Sequence, residues 1–169
     1  MKINVAQLRR LGGGTEKYHF NEGLSPLQLG EDEFAFQSPV DVELGVINAG
    51  KSLLVKGRIS CEIGAACSKC LKDFPYKMSF EFEDKFIPVE FAPEEEDDGA
   101  FIFERDECSI DERIQEHILL HLPMRFVCSD LCLGLCPKCG ADLNFNPCGC
   151  ADVDVDPRLE ILSKWNKGV

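Results

Sequence analysis

The chain has no apolar run long enough to span a membrane or to form the core of a secretory signal. Its opening residues, Met1-Lys-Ile-Asn-Val-Ala-Gln-Leu-Arg-Arg10, are amphipathic and charged toward both ends. A cytoplasmic protein with no membrane partner is expected. Catalytic signatures are missing too: no glycine-rich phosphate loop, nucleophile elbow or paired-carboxylate site stands out. Histidine is scarce, with 3 in the chain, and two of them, His117 and His121, lie four apart on an expected helix. Zinc peptidases place a glutamate after the first histidine of such a pair, whereas here Glu116 precedes it. Both histidines border an apolar stripe, so a packed or half-exposed role is expected of them, and no enzyme activity. Basic charge is also in short supply, 18 lysines and arginines against 30 acids for a net −12, which argues against broad, non-specific nucleic-acid binding.

Cysteine, by contrast, is abundant, with 10 among 169 residues. A chain of this length buries enough apolar surface to be stable without cross-links, and cytoplasmic thiols are kept reduced. Closely spaced cysteines are therefore expected to be metal ligands or redox centres. Eight fall into close pairs: Cys67 with Cys70, Cys128 with Cys132, Cys136 with Cys139, and Cys148 with Cys150. The stretch Cys136-Pro-Lys-Cys139-Gly140 is the turn that metal-binding knuckles use, because a glycine after the second cysteine lets backbone amides face the sulfurs.

Eight thiolates make two tetrahedral sites. A local site would join Cys136 and Cys139 to Cys148 and Cys150 across a short loop rich in turn formers. The other would reach from Cys67-Ser-Lys-Cys70, at a hairpin tip, to Cys128 and Cys132, clamping the segment after the helix onto the sheet. Zinc is the first choice for both, two Zn2+ per chain, since closed all-thiolate sites favour it. Mononuclear iron or an iron–sulfur cluster is the rival metal, and free thiols are the alternative for Cys67 and Cys70. Cys61 and Cys108 have no partner in sequence and are expected to be buried as small apolar residues.

Charge is distributed unevenly. Residues 81–107 hold 12 acids and 2 bases, and Glu94-Glu-Glu-Asp-Asp98 reads as a solvated loop, about 92–100. Between Lys51 and Tyr76 the balance reverses, with Lys51, Lys56, Arg58, Lys69 and Lys72 against Glu62 and Asp73. This basic zone, beside the first cysteine pair, supplies the candidate RNA-binding residues, through phosphate contacts.

The pattern of elements is β first, then helical. Val40, Val42, Leu44 and Val46 alternate with Asp41, Glu43 and Gly45, the period of a half-buried strand, and Asn48-Ala-Gly50 has turn chemistry. Residues 52–63 and 76–83 supply further strands, 101–104 a short one, and Ile3, Val5 and Leu8 an edge. The expected fold is α+β: an antiparallel β-meander or partly open barrel, one or two packed helices, and a small Cys-rich zinc-binding module near the C-terminus. Ser109-Ile-Asp-Glu112 has capping-box spacing and opens a helix over about 109–122, ended by Pro123. A β domain over 1–123, a cysteine module over 124–156 and a C-terminal helix over 157–169 follow. That last helix opens at Asp156-Pro157 and carries Leu159, Leu162 and Trp165 as a docking stripe.

Taken together, Val55-Lys-Gly-Arg58, Cys67-Ser-Lys-Cys-Leu71 with Phe74, Leu122-Pro123, Cys132-Leu-Gly-Leu-Cys-Pro-Lys-Cys-Gly140 with Leu143-Asn144, and Asp156-Pro-Arg-Leu159 span most of the chain. In these segments it resembles the YceD-like proteins, linked to accumulation of large-subunit ribosomal RNA in bacteria and plastids. The resemblance implies a non-catalytic factor that helps ribosomal RNA, or the early large ribosomal subunit, survive and assemble. Two mechanisms are open under it: direct RNA binding, and chaperoning of a basic ribosomal protein by the acidic loop. A third class is a thiol redox or iron-thiolate electron-transfer protein.

Overall fold

The computed structural model describes residues 1–10, 12–92, 99–104, 106–150 and 158. The chain forms two compact units, one of Met1–Ala65 with Asp73–Phe126, the other gathering Ala66–Lys72 and the chain from Val127 onward. Along the chain run β1 (Lys2–Asn4), α1 (Ala6–Arg10), β2 (Thr15–Glu22), β3 (Leu27–Leu29), β4 (Asp32–Phe34), β5 (Val40–Asn48), β6 (Leu53–Ala66), β7 (Asp73–Pro88), β8 (Phe101–Phe103), β9 (Glu107–Ser109) and α2 (Asp111–Leu120). No helix among the described residues is long and apolar enough to cross a membrane.

The main sheet has the order β2-β5-β6-β7-β8, with smaller sheets β1-β9 and β3-β4, and none of the three closes into a barrel. β2, β5 and β6 pair antiparallel. Lys56–Glu83, Arg58–Glu81, Ser60–Ser79 and Glu62–Lys77 contacts step up one strand and down the other, so β6 and β7 are antiparallel as well. The meander ends there, because β8 lies parallel to β7, Phe86 opposite Phe101. A parallel partner needs a long crossover, and the acidic segment after Pro88 provides that length. The core of that segment, residues 93–98, lies outside the described residues, as does most of the expected C-terminal helix, residues 157 and 159–169.

The alternation read from the sequence is the alternation of burial. Val40, Val42, Leu44 and Val46 all point inward, against Val55, Ile59 and Cys61 of β6 and Phe82 and Phe86 of β7. Ile114 and Ile118, one helical turn apart on α2, are fully buried in the same cluster. Each such side chain contributes roughly 1.5–3 kcal/mol on leaving water. The capping box expected at Ser109 does not form. Ile110 is the N-cap residue, and the Ser109 hydroxyl donates to the Asp111 carboxylate at 3.1 Å. Pairing of β9 with β1 draws Ser109 into a strand opposite Lys2, and the Ile110 N–H donates to the carbonyl of Met1 at 3.2 Å. Tertiary pairing thus overrides a local cap.

His117 packs, as expected, its ring centroid 4.9 Å from that of Phe82, and its Nε2 also lies 2.9 Å from Asp84 Oδ2. His121 stacks on Phe80, with ring centroids 3.8 Å apart. Cys61 and Cys108 are buried in the core, and burial pushes both thiols up to about 11.

Candidate functional site

Two clusters of sulfur lie in the second unit. β6 and β7 are joined by a six-residue turn from Cys67 to Lys72. It is closed by Leu71 N–H donating to the Cys67 carbonyl at 2.8 Å and Cys67 N–H donating to the Lys72 carbonyl at 2.9 Å. Cys128 and Cys132 meet it, so that all four sulfurs lie within 4.8 Å of one another. Cys67 Sγ is 3.9 Å from Cys132 Sγ, and Cys70 Sγ is 3.7 Å from Cys128 Sγ. A tetrahedron with metal–sulfur bonds of about 2.3 Å has edges of about 3.8 Å, so the spacing fits a zinc-sized ion. Three of these cysteines, Cys67, Cys70 and Cys132, are buried.

The second cluster is Cys136, Cys139, Cys148 and Cys150, again with every sulfur within 4.8 Å of the others. Its turn repeats the first: Gly140 N–H donates to the Cys136 carbonyl at 2.8 Å. Its exposure does not, since Cys136 is buried while Cys139 and Cys150 are exposed.

Both turns aim backbone donors at their leading sulfur. Cys128 N–H donates to Cys67 Sγ at 3.4 Å, and the Cys70 and Lys69 amides add to it, holding the Cys67 thiol down at about 6. The Cys139 and Lys138 amides do the same for Cys136, also at about 6. Amide donors favour the thiolate, the form that binds metal.

The strip 132–135 links the two turns. Leu135 N–H donates to the Lys69 carbonyl at 3.0 Å, and Lys69 Nζ to the Cys132 carbonyl at 3.1 Å. Gly134, at φ 79°, makes this approach possible, because a Cβ there would sit 2.8 Å from the Lys69 carbonyl oxygen. Asn144 braces the other flank, its Nδ2 donating to Cys132 Sγ at 3.6 Å while its Oδ1 accepts from Leu133 N–H at 2.8 Å. Asn144 was not foreseen as a site residue; an asparagine two after Asp142 gives no ligand signal in sequence.

The candidate RNA-contacting residues divide. Lys56 and Arg58 lie on β6 and are paired across the sheet with Glu83 and Glu81, at 2.8 and 2.7 Å. The basic and acidic zones, apart in sequence, are neighbours in the sheet and offset one another. Lys51 is exposed in the β5–β6 turn, whereas Lys69 and Lys72 belong to the second unit with the sulfurs. A third group on β2 and β5 comprises His19 and Glu43, which are exposed, and Asp41, which is half-buried. Asp41 Oδ2 already accepts from Asn21 Nδ2 at 3.1 Å and meets His19 Nε2 at 2.9 Å, contacts that hold its carboxyl below the usual range.

An uncharacterised protein of Mycobacterium tuberculosis is 26% identical over 162 residues, covering 94% of this chain and 77% of that one. The uncharacterised protein YlbN of Bacillus subtilis is 29% identical over 168 residues, 99% of this chain and 97% of its own. The chloroplastic large ribosomal RNA subunit accumulation protein YCED homolog 1 of Arabidopsis thaliana is 26% identical over 147 residues, 70% of this chain and 46% of that protein. No solved structure matches the chain. The family model described as large ribosomal RNA subunit accumulation protein YceD matches residues 55–165, a span that contains both sulfur clusters and the turns that build them, and the chain belongs to the YceD family.

Proposed function

We propose that this protein is a non-catalytic, cytoplasmic factor of ribosome biogenesis that supports accumulation of large-subunit ribosomal RNA. Its partner would be ribosomal RNA or the pre-large-subunit particle. In this reading Cys67, Cys70, Cys128 and Cys132 hold one structural zinc ion, and Cys136, Cys139, Cys148 and Cys150 a second. The observation that carries the role is the family match over residues 55–165, within which all eight cysteines fall. Support for zinc comes from the donor set: four thiolates per site, closed, with sulfur spacings of 3.7 and 3.9 Å in the first. Closed sites leave no coordination position for a substrate, so the metal's contribution is to folding. Chaperoning of a basic ribosomal protein is the second reading, favoured by the net charge of −12.

Deletion of the gene tests the role. Large-subunit ribosomal RNA should fall relative to small-subunit RNA, and the wild-type chain should restore it; an unchanged ratio in the deletion strain refutes the proposal. Purified protein should be colourless, whereas a red protein would assign iron.

A further inference from the structure

Two turns of this protein share a backbone and differ in one telling side chain. Cys67-Ser-Lys-Cys70-Leu71 and Cys136-Pro-Lys-Cys139-Gly140 both put their fifth residue in the left-handed region, φ 60° at Leu71 and φ 72° at Gly140. In both, that residue's N–H donates to the first cysteine's carbonyl at 2.8 Å. Glycine enters this conformation freely, while a leucine's Cβ crowds the backbone. Leu71 recovers little from packing, since it is 68% exposed. A strained backbone position filled by an exposed apolar side chain points to a function outside the fold.

Leu71 has company. Leu133 is 68% exposed and Phe145 73%, both in the same unit. The hydrogen-bonded strip 132–135 connects them: Leu135 N–H reaches the Lys69 carbonyl, and Leu133 N–H reaches the side chain of Asn144, next to Phe145. Lysine occupies the third position of both turns, Lys69 and Lys138, and Lys72 follows Leu71. The described residues of this unit carry Lys69, Lys72, Lys138 and Arg158 against Asp130 and Asp142, and over its whole span the unit holds 6 bases and 6 acids, in a chain whose remainder is strongly acidic.

We propose that the surface bearing Leu71, Leu133 and Phe145 docks single-stranded RNA, with these side chains against base faces and Lys72 and Lys138 toward phosphates. The proposal rests on the ribosomal-RNA role set out above and names the surface that performs it. Base faces are open to side chains only where RNA is unpaired, because stacking in a duplex hides them. Stacking side chains combined with basic groups that track the backbone bind single strands with little sequence preference.

The test uses the full, zinc-loaded chain and a fluorescein-labelled, mixed-sequence RNA 12-mer, read by anisotropy. Wild type should bind with an affinity that falls steeply as salt rises. Leu71→Gly and Phe145→Ala should each weaken binding at least fivefold while keeping two metal ions per chain. Leu71→Gly should also leave the melting temperature unchanged or raise it, because the glycine relieves the left-handed turn; a leucine with only a structural role would lower it. Absence of binding by wild type, or equal binding by both variants, overturns the proposal. So does a third outcome, in which the variants keep RNA affinity but no longer sediment with large-subunit particles, which assigns the surface to a protein partner. Complementation separates this proposal from the role it rests on. If wild type restores large-subunit RNA and Leu71→Gly does so equally, the docking surface is wrong and the role holds; if wild type fails, the role itself is lost.

Discussion

Phe82 lies against the backbone of Gly57. A Cβ on Gly57 would stand 2.9 Å from Phe82 Cε1 and 2.8 Å from Leu44 Cβ, and closer still to the Glu43 carbonyl oxygen. Gly57 faces Leu44 across the β5–β6 pair, on the side of the sheet that packs inward. The glycine of Val55-Lys-Gly-Arg58 is therefore a packing requirement, the space in which an aromatic ring is seated. Gly57→Ala should cost about 1–3 kcal/mol, the usual penalty of overpacking, read by chemical denaturation. Gly45→Ala is the control, since its nearest neighbour would be 3.9 Å away, and it should change stability by less than about 0.5 kcal/mol.

Metal analysis of the pure protein should return two zinc ions per chain. Cys70→Ser and Cys139→Ser should each remove one. The two ions should also differ in lability: a chelator should strip the Cys136 site first, because Cys139 and Cys150 are exposed whereas Cys67, Cys70 and Cys132 are buried. Loss of both ions at one rate would contradict this assignment.

Gly134→Ala should damage one site and spare the other. Its Cβ would meet the Lys69 carbonyl oxygen at 2.8 Å, in a backbone at φ 79° that disfavours side chains. The strip 132–135 would then move off the first turn, taking Cys132 with it. Affinity at the Cys67 site should fall about 10- to 100-fold, the scale of losses seen when the groups orienting a ligand are disturbed. Chelator competition on Gly134→Ala, with Cys139→Ser as background, isolates that site.

Low pH should destabilise the first unit through Asp84, which is 5% exposed. Burial pushes its carboxyl up, but hydrogen bonds from His117 and Arg113 overcome that, so it titrates below its ordinary 3.8. A carboxylate whose pKa is depressed by folding contributes stability that is fully present above the unfolded value and is lost as pH falls through the folded one. Stability should therefore hold from neutrality down to about pH 4 and drop below it. In Asp84→Asn that acid-side drop should be smaller, measured by urea titration across pH 3–6.

Much of the fold was legible because its strands and helix obey the two simple periods. Val40 to Val46 alternate and are buried in alternation as β5. Ile114 and Ile118 follow the helical repeat and are buried on α2. β2 was not legible: in Thr15–Glu22 only Tyr18 and Phe20 mark an inward face, among charged and polar neighbours. β3 and β4 are three residues each, too short for a period to register. The parallel seat of β8 was hidden for another reason, since strand direction depends on the route of the connection and not on the composition of the strand.

The sequence by itself determined which residues could hold metal: eight cysteines in four close pairs, two of them in knuckle turns, offer ligands for two tetrahedral thiolate sets. Tertiary structure decided what lies beside them. Only folding brings Cys67 to Cys132, 65 residues away, within 3.9 Å, and leaves Leu71 exposed at a turn where its counterpart is glycine. Only folding sets Glu81 and Glu83 against Arg58 and Lys56, so that a basic stretch in the sequence becomes a balanced face of the sheet. The physical reason is range. Ligand spacing within a turn is a property of a few consecutive residues, whereas exposure and charge balance depend on which distant segments the chain packs side by side.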